Sequence, residues 1–407
     1  MPIALLFRLA WRNLVRNLRR SVFGIATIAF GVVGLALAAG FIQDVFEQLG
    51  EATISAQLGH VQIAKRGFRE GGTASPQDFL IDAASLKPRI AALDLVKEVM
   101  GRLAFSGLLS LDGAELAIEA QGIEPDPEAR LGTRLQILAG RGLRDADTYG
   151  VLLGEGVAKQ LKAGVHDTVS LTAPTIDGSL NLLELEVLGV FRSFSKEYDD
   201  RTIRMPLAAA HELTQTDRVN TLVVQLRRTV DTDLAVARLT ASLGDSDLEA
   251  VPWYVLSDFY ANTRLMYERQ FGFLQLIALV LVVMSVLNSL NMTVFERTAE
   301  FGTMRVLGNR GSAVVKLIVI EGVLLRGLRS LIGILLAMLV AAVVSVGGIP
   351  MPPPPNMESG YTARVVLTLP ALGRTALIGT LAAVLASVIP ALRFLRIPLP
   401  DALRRAV

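Results

Sequence analysis

The chain has 407 residues, of which 52% are hydrophobic and only 19% charged, with a mean hydropathy of +0.47. Soluble chains average roughly 25% charged residues, so disorder and coiled coil are excluded and long uncharged, membrane-crossing stretches are expected. The absence of cysteine removes disulfides and thiolate chemistry, and the three histidines, His60, His166 and His211, are scattered without a paired acidic motif that would make a metal or catalytic site.

The net charge of +2 hides an uneven distribution along the chain. Residues 1–21 carry Arg8, Arg12, Arg16, Arg19 and Arg20 and no acid. Their helical spacing opposite Leu6, Leu9, Leu14 and Leu18 predicts a cytoplasmic amphipathic helix, with Arg12, Arg16 and Arg19 as membrane-interface anchors to lipid headgroups. An uncharged run follows, and 22–43 is long enough to be transmembrane helix 1. A cleaved signal peptide is the competing reading, because Ala36 and Ala38 resemble a small-x-small cleavage site. Against it, the apolar run continues through Phe41 and Ile42, and the lead-in is long.

Residues 44–269 hold 23 basic and 33 acidic side chains, a net of −10. They are expected on the side of the membrane opposite the basic segments. Helix-like spacing over Asp44 to Leu58 and Val255 to Arg269 predicts helical stalks that prolong the flanking spans. Between them a mixed α and β pattern is legible. Strands are predicted over His60 to Ala64, Thr168 to Leu171, Leu182 to Phe191 and Thr221 to Leu226, and a hairpin over Leu108 to Leu111 and Ala114 to Ala120 around Asp112-Gly113. Helices are predicted over Ala84 to Leu93, Gly156 to Leu161, Leu207 to Leu213 and Asp231 to Leu243. Gly140-Arg141-Gly142 and Gly154-Glu155-Gly156 read as turns, and Tyr198-Asp199-Asp200 as a solvated loop rather than a calcium site.

Transmembrane helix 2 is expected over 270–295, a charged cytoplasmic segment over 296–316, helix 3 over 317–349, a Pro-rich loop over 350–370, helix 4 over 371–392 and a cytoplasmic tail over 393–407. The stretch from Glu296 to Arg329 has six basic and three acidic residues and the tail four and one, which puts both termini inside. Gly333, Ala337 and Ala341 recur every four residues along helix 3, as do Gly379 and Ala383 along helix 4, giving small-residue stripes for close helix packing. Asn288 and Asn291 are expected to face another helix or the cytoplasmic interface. The fold class is therefore an α-helical membrane protein with four transmembrane helices and a large α+β extracytoplasmic domain between helices 1 and 2.

Catalytic signatures are missing. There is no Gly-Lys dipeptide for a phosphate-cradling loop, no Gly-x-Ser-x-Gly elbow and no His-Glu-x-x-His, so no catalytic or metal-binding residue is assigned. The informative stretch is Glu296-Arg297-Thr298-Ala299-Glu300-Phe301-Gly302-Thr303-Met304-Arg305-Val306-Leu307-Gly308, a short charged helix with a glycine stop signal. It reads either as a solvated helix with Glu296, Arg297 and Glu300 on the water face or as a docking helix for a cytoplasmic partner.

That segment resembles the coupling-helix region of FtsX/MacB-type permeases, the transmembrane subunits of type VII ABC transporters. Four more regions share the resemblance: Ala10-Trp11-Arg12-Asn13-Leu14 with Arg16-Asn17 and Arg19-Arg20; Glu321-Gly322 with Gly327 and Gly333; Pro390-Ala391 with Arg393 and Pro400-Asp401-Ala402-Leu403-Arg404; and, in the long loop, Gly59 to Ile63 and Leu152 to Glu155. The resemblance implies a porter-like part over 60–104 and 217–254 around a sabre-like part over 105–216. It implies a non-enzymatic permease that binds no cofactor itself, since ATP and magnesium belong to a cytoplasmic ABC ATPase subunit in two copies. Glu296, Arg297, Glu300 and Arg305 would supply docking contacts, with Gly302 and Gly308 for close approach or helix termination. Further implied partners are a second permease copy or paralogue and a periplasmic carrier or adaptor; no nucleic acid is expected. The layout is similar to the lipoprotein-releasing LolC/LolE branch, which places the chain in a bacterial inner membrane with its large domain in the periplasm. The alternative is a membrane-anchored transmitter that activates a periplasmic hydrolase or adaptor without transport.

Overall fold

The computed structural model describes residues 18–71, 76–131, 135–193, 195–244, 246–351, 361–370, 372–373 and 377. These fall into two compact units: 47–263 with 351–361, and 1–46 with 264–350 and 362–407.

The first unit is built on one ten-stranded sheet. In chain order its strands are β1 (Val61–Lys65), β2 (Val96–Leu111), β3 (Ala114–Ile123), β4 (Gln136–Gly140), β5 (Gly150–Gly154), β6 (Thr168–Pro174), β7 (Leu180–Arg192), β8 (Thr202–Pro206), β9 (Thr221–Leu226) and β10 (Leu248–Pro252). The spatial order is β10-β1-β9-β2-β3-β8-β5-β7-β4, with β6 pairing both β2 and β7. The β2–β3 hairpin turns at Asp112 (φ 49°) and Gly113 (φ 84°), the two positive φ values that match the right-handed twist of its strands.

Two cores lie against this sheet. One gathers Val61, Ile63, Ile81, Ile90, Leu222 and Leu239, covered by α2 (Ala83–Ala91) and α6 (Thr232–Leu243). Asp82 starts α2 by accepting from the Ala84 and Ser85 N–H groups, which satisfies two otherwise unpaired donors. The other core gathers Phe105, Leu109, Leu153, Leu171, Leu185 and Met205, covered by α4 (Glu155–Leu161) and α5 (Leu207–Thr214). Burying each such side chain contributes roughly 1.5–3 kcal/mol. Short α3 (Pro125–Leu131) follows β3.

Two readings of this region are corrected. Gly154-Glu155-Gly156 is a strand-to-helix junction: Gly154 ends β5, and a Cβ there would collide with the Asp199 carbonyl, while one at Gly156 would collide with Asp200. Tyr198-Asp199-Asp200 is not a solvated loop, because Asp199 is buried and its carboxylate accepts the Ser193 N–H at 3.0 Å. Both corrections have one cause, the packing of the 196–200 turn onto the start of α4.

The second unit holds most of α1 (Leu18–Thr53, followed by a π-helical turn at Ile54–Leu58) and of α7 (Asp258–Glu296). Then come α8 (Thr298–Val306) and α9 (Gly311–Gly347). α9 is a single helix of 37 residues, about 55 Å at 1.5 Å per residue, and begins ahead of the expected start at 317. Two short strands, Ile349–Met351 and Tyr361–Ala363, pair beyond it. Helix covers 22–43, 270–295 and residues 317–347 of the expected 317–349, whose last residue, Ile349, belongs to a strand; among the described residues no helix is long and apolar enough to cross a membrane. The expected helix 4 over 371–392 lies almost entirely outside the described residues, as do the Pro-rich stretch 352–360 and the tail.

Candidate functional site

The segment between α7 and α9 holds six of the residues singled out from sequence. α7 ends at Glu296, Arg297 occupies the cap position, and α8 follows. Gly308, at φ 88°, reverses the chain so that the Asn309 N–H reaches the Met304 carbonyl at 3.1 Å. Glu296 and Glu300 are exposed, Arg305 is half-buried and Gly302 is buried. Arg297 departs from the water-face reading: its side chain is only 14% exposed and donates to Glu300 Oε2 at 2.8 Å. The outward chemistry of the segment is thus acidic at Glu296 and Glu300, basic at Arg310 and apolar at Val306 and Leu307, which are 60% and 78% exposed. Sequence reading passed over that apolar pair; two large apolar residues immediately before a helix-stopping glycine were the available signal.

Gly333, Ala337 and Ala341 are buried on one face of α9. Ala337 packs in a cluster with Val33 and Ala36 of α1 and with Leu372. Asn288 and Asn291 are exposed on α7. Arg19 falls within α1; Arg12, Arg16, Gly379 and Ala383 lie outside the described residues.

The roots of the two stalks were not visible as a site in the sequence. Gly50 of α1 lies against the Trp253 indole, whose ring meets Tyr260 of α7 at 4.6 Å between centroids. His60, immediately after the stalk, is buried. Its Nδ1 accepts the Leu226 N–H at 3.2 Å, so the proton of the neutral ring sits on Nε2, which donates to Thr229 Oγ1 at 3.1 Å. Thr229 in turn donates to Glu51 Oε1 at 2.6 Å. Burial pushes the His60 pKa down, against the nearby Glu51, so the ring stays neutral in this arrangement. A polar chain thus ties the last turns of α1 to the end of β9.

Deeper in the sheet, Arg204 is fully buried between the Phe191 and Tyr198 rings, 5.7 Å from each centroid. It donates to the Tyr198 hydroxyl at 3.0 Å, which donates to Gln121 at 2.7 Å. Arg102 clasps Glu128 with both ends of its guanidinium, Nη2 at 2.8 Å from Oε2. This cluster fixes β2, β3 and β8 to α3. A cavity of about 590 Å³ does open at the end of α5, bounded by Leu80, Ile176, His211 and Arg218. Among the described residues no group of three or more His, Asp or Glu side chains is placed to hold a metal ion.

Comparison with known proteins identifies this layout. The profile of the MacB-like periplasmic core domain matches residues 21–242, and that of the FtsX-like permease C-terminal domain matches residues 272–399. The chain belongs to the family of MacB-like periplasmic core domain proteins that carry an FtsX-like permease region. It is 21% identical over 213 residues to an uncharacterized ABC transporter permease of Methanocaldococcus jannaschii. That match spans half of this chain (50%) and about half of the relative's length (51%). Among solved structures it is similar to the extracellular domain of the noncanonic ABC-type transporter YknZ from Gram-positive bacteria, at 15% identity and a TM-score of 0.35, covering 47% of this chain and 100% of that one. It is also similar to the periplasmic region of MacB from Actinobacillus actinomycetemcomitans, at 14% identity and a TM-score of 0.36, covering 51% of this chain and 95% of that one.

Proposed function

We propose that the chain is the non-catalytic, membrane-spanning permease subunit of an ABC-type transporter, and that it converts ATP-driven movement of a separate cytoplasmic ATPase into movement of its α/β unit in the periplasm. Spans 1 to 4 run over 22–43, 270–295, 317–349 and 371–392, and the porter-like (60–104 and 217–254) and sabre-like (105–216) parts form the far-side lobe. Two ATPase copies grip a pair of permeases, and closing them shifts α1 and α7. The stalk roots around His60, Thr229 and Trp253 carry the shift into the sheet. The cargo is a lipoprotein or another hydrophobic envelope molecule, and no channel through the bilayer is required.

The observation that carries the docking assignment is α8 itself: a nine-residue helix between two long ones, with Glu300 outward and Val306 and Leu307 uncovered. An acidic patch beside exposed apolar side chains suits a partner groove with basic rims. Charge reversal at Glu300 together with Arg305 (Glu300→Lys, Arg305→Glu) is expected to abolish co-purification of the co-expressed partner ATPase, while the permease itself stays in the membrane fraction. Undiminished co-purification and ATP turnover by that variant would remove the assignment.

A further inference from the structure

The outward face of strands β3, β2, β6 and β7 carries a patch whose composition is set by the strand register. Alternate residues of these strands, Phe105, Leu109, Ile118, Leu171 and Leu185 among them, point into the core. The intervening positions therefore share the opposite face. In register across it lie Ala117, Leu108, Thr172 and Leu182, with Pro174 opposite Leu180 in the neighbouring row. Leu180 is 76% exposed, Leu182 55% and Leu108 38%. Beyond this apolar centre, Ser110 pairs with Glu115, Ser170 with Glu184, Thr168 with Glu186, and Ser106 with Glu119. All four glutamates are exposed, Glu186 with the His166 Nδ1 at 2.9 Å from its Oε1, and none of the outward positions of these strand segments is Lys or Arg.

Three leucines uncovered on one sheet face, ringed by carboxylates of a single sign, are unlike the scattered apolar residues of an ordinary surface. The same ring selects among occupants. A second copy of this face would bring four glutamates onto four, and an anionic lipid surface would be repelled in the same way. Opposite charge meets the pattern only when the partner supplies it.

We propose that this face is the docking surface for a partner protein that presents lysine or arginine side chains around an apolar tip, which rests on the permease reading and names the chemistry of its far-side partner. Leu108, Leu180 and Leu182 receive the tip, and Glu115, Glu119 and Glu184 hold the cationic rim.

The absence of native cysteine permits a clean test in the full chain in detergent. An environment-sensitive fluorophore on Leu182→Cys is titrated with a synthetic Lys/Leu amphipathic peptide, its Glu/Leu counterpart, and phosphatidylglycerol vesicles; Val230→Cys, an exposed site on another part of the same unit, serves as control. The expected result is a saturable blue shift at Leu182→Cys with the Lys/Leu peptide alone, weakened at least tenfold by Glu115→Lys with Glu184→Lys, and weakened by salt. Equal response to the acidic peptide or the vesicles, equal response at Val230→Cys, concentration-dependent self-association through this face, or indifference to the charge reversal would each overturn it. Co-purification of the ATPase is measured on the same variants and should be unchanged, so its loss would count against the permease reading and not against this face.

Discussion

In the α/β unit Phe105, Leu153 and Phe191 are wholly withdrawn from solvent, whereas in the helical unit Phe273, Leu335 and Val343 are more than half exposed. The residue types are the same; what differs is the geometry available to bury them. A sheet with helices against it closes two cores on itself, because alternate residues of each strand face one way. A helix that is apolar around most of its circumference cannot bury every side against one or two neighbours. The α/β unit thus closes its main cores within itself, while the helical unit leaves large apolar side chains uncovered; on the proposed reading, hydrocarbon or a second subunit covers them.

The comparison is broken or sharpened most strongly by truncating one side chain of each kind. Phe105→Ala should cost the α/β unit about 3–5 kcal/mol, while Leu335→Ala should leave its melting within about 0.5 kcal/mol of the parent, both read by the fluorescence of Trp253 in a Trp11→Phe background. Equal effects would erase the distinction between the units. A charge tests the hydrocarbon side: Leu339→Asp on α9 should cost about 2.5–3.5 kcal/mol of insertion and visibly lower the membrane-integrated yield. An unchanged yield would mean that this face of α9 does not meet lipid.

The smallest effect is a pH dependence within the α/β unit. Burial pushes the Asp199 carboxyl up to about 6, against the hydrogen bonds from Ser193 that favour its ionised form. The folded state therefore holds this proton more tightly than the unfolded chain, whose Asp titrates near 4. Between about pH 4 and 6 the Asp199 contribution to stability falls as pH rises, by less than about 3 kcal/mol, and is flat above that. His60 acts oppositely: its lowered pKa means stability is lost as pH falls below its ordinary value near 6.5. Asp199→Asn should remove the first slope and keep the second, as measured by melting from pH 4 to 8; two unchanged slopes would assign the first to another group.

How much of this was legible beforehand follows the range of the forces involved. The β2–β3 hairpin and the helices near 156–161, 207–213 and 232–243 are local matters of turn chemistry and periodicity, and the sequence pattern placed them within a few residues. β4, β5, β8 and β10 were not seen as strands. Each is only five residues long, β5 and β8 are wholly buried, and β5 is bounded by glycines, so no alternation marks it. The same limit hid the stalk roots. His60, Thr229 and Glu51 are distant in sequence and become one polar chain only when β1 pairs with β9. The α8 region was legible because its charge pattern and its glycine stop are both local, yet the inward turn of Arg297 and the exposure of Val306 and Leu307 needed the fold.

The central proposal requires α8 and the α/β unit to lie on opposite sides of a membrane, and the cysteine-free chain makes that directly measurable. Single cysteines at Val230 (Val230→Cys) and Leu307 (Leu307→Cys), both highly exposed, are treated with a membrane-impermeant maleimide in intact spheroplasts. The account predicts labelling at 230 from outside and at 307 only after the membrane is opened. Labelling of both positions from the same side would contradict it.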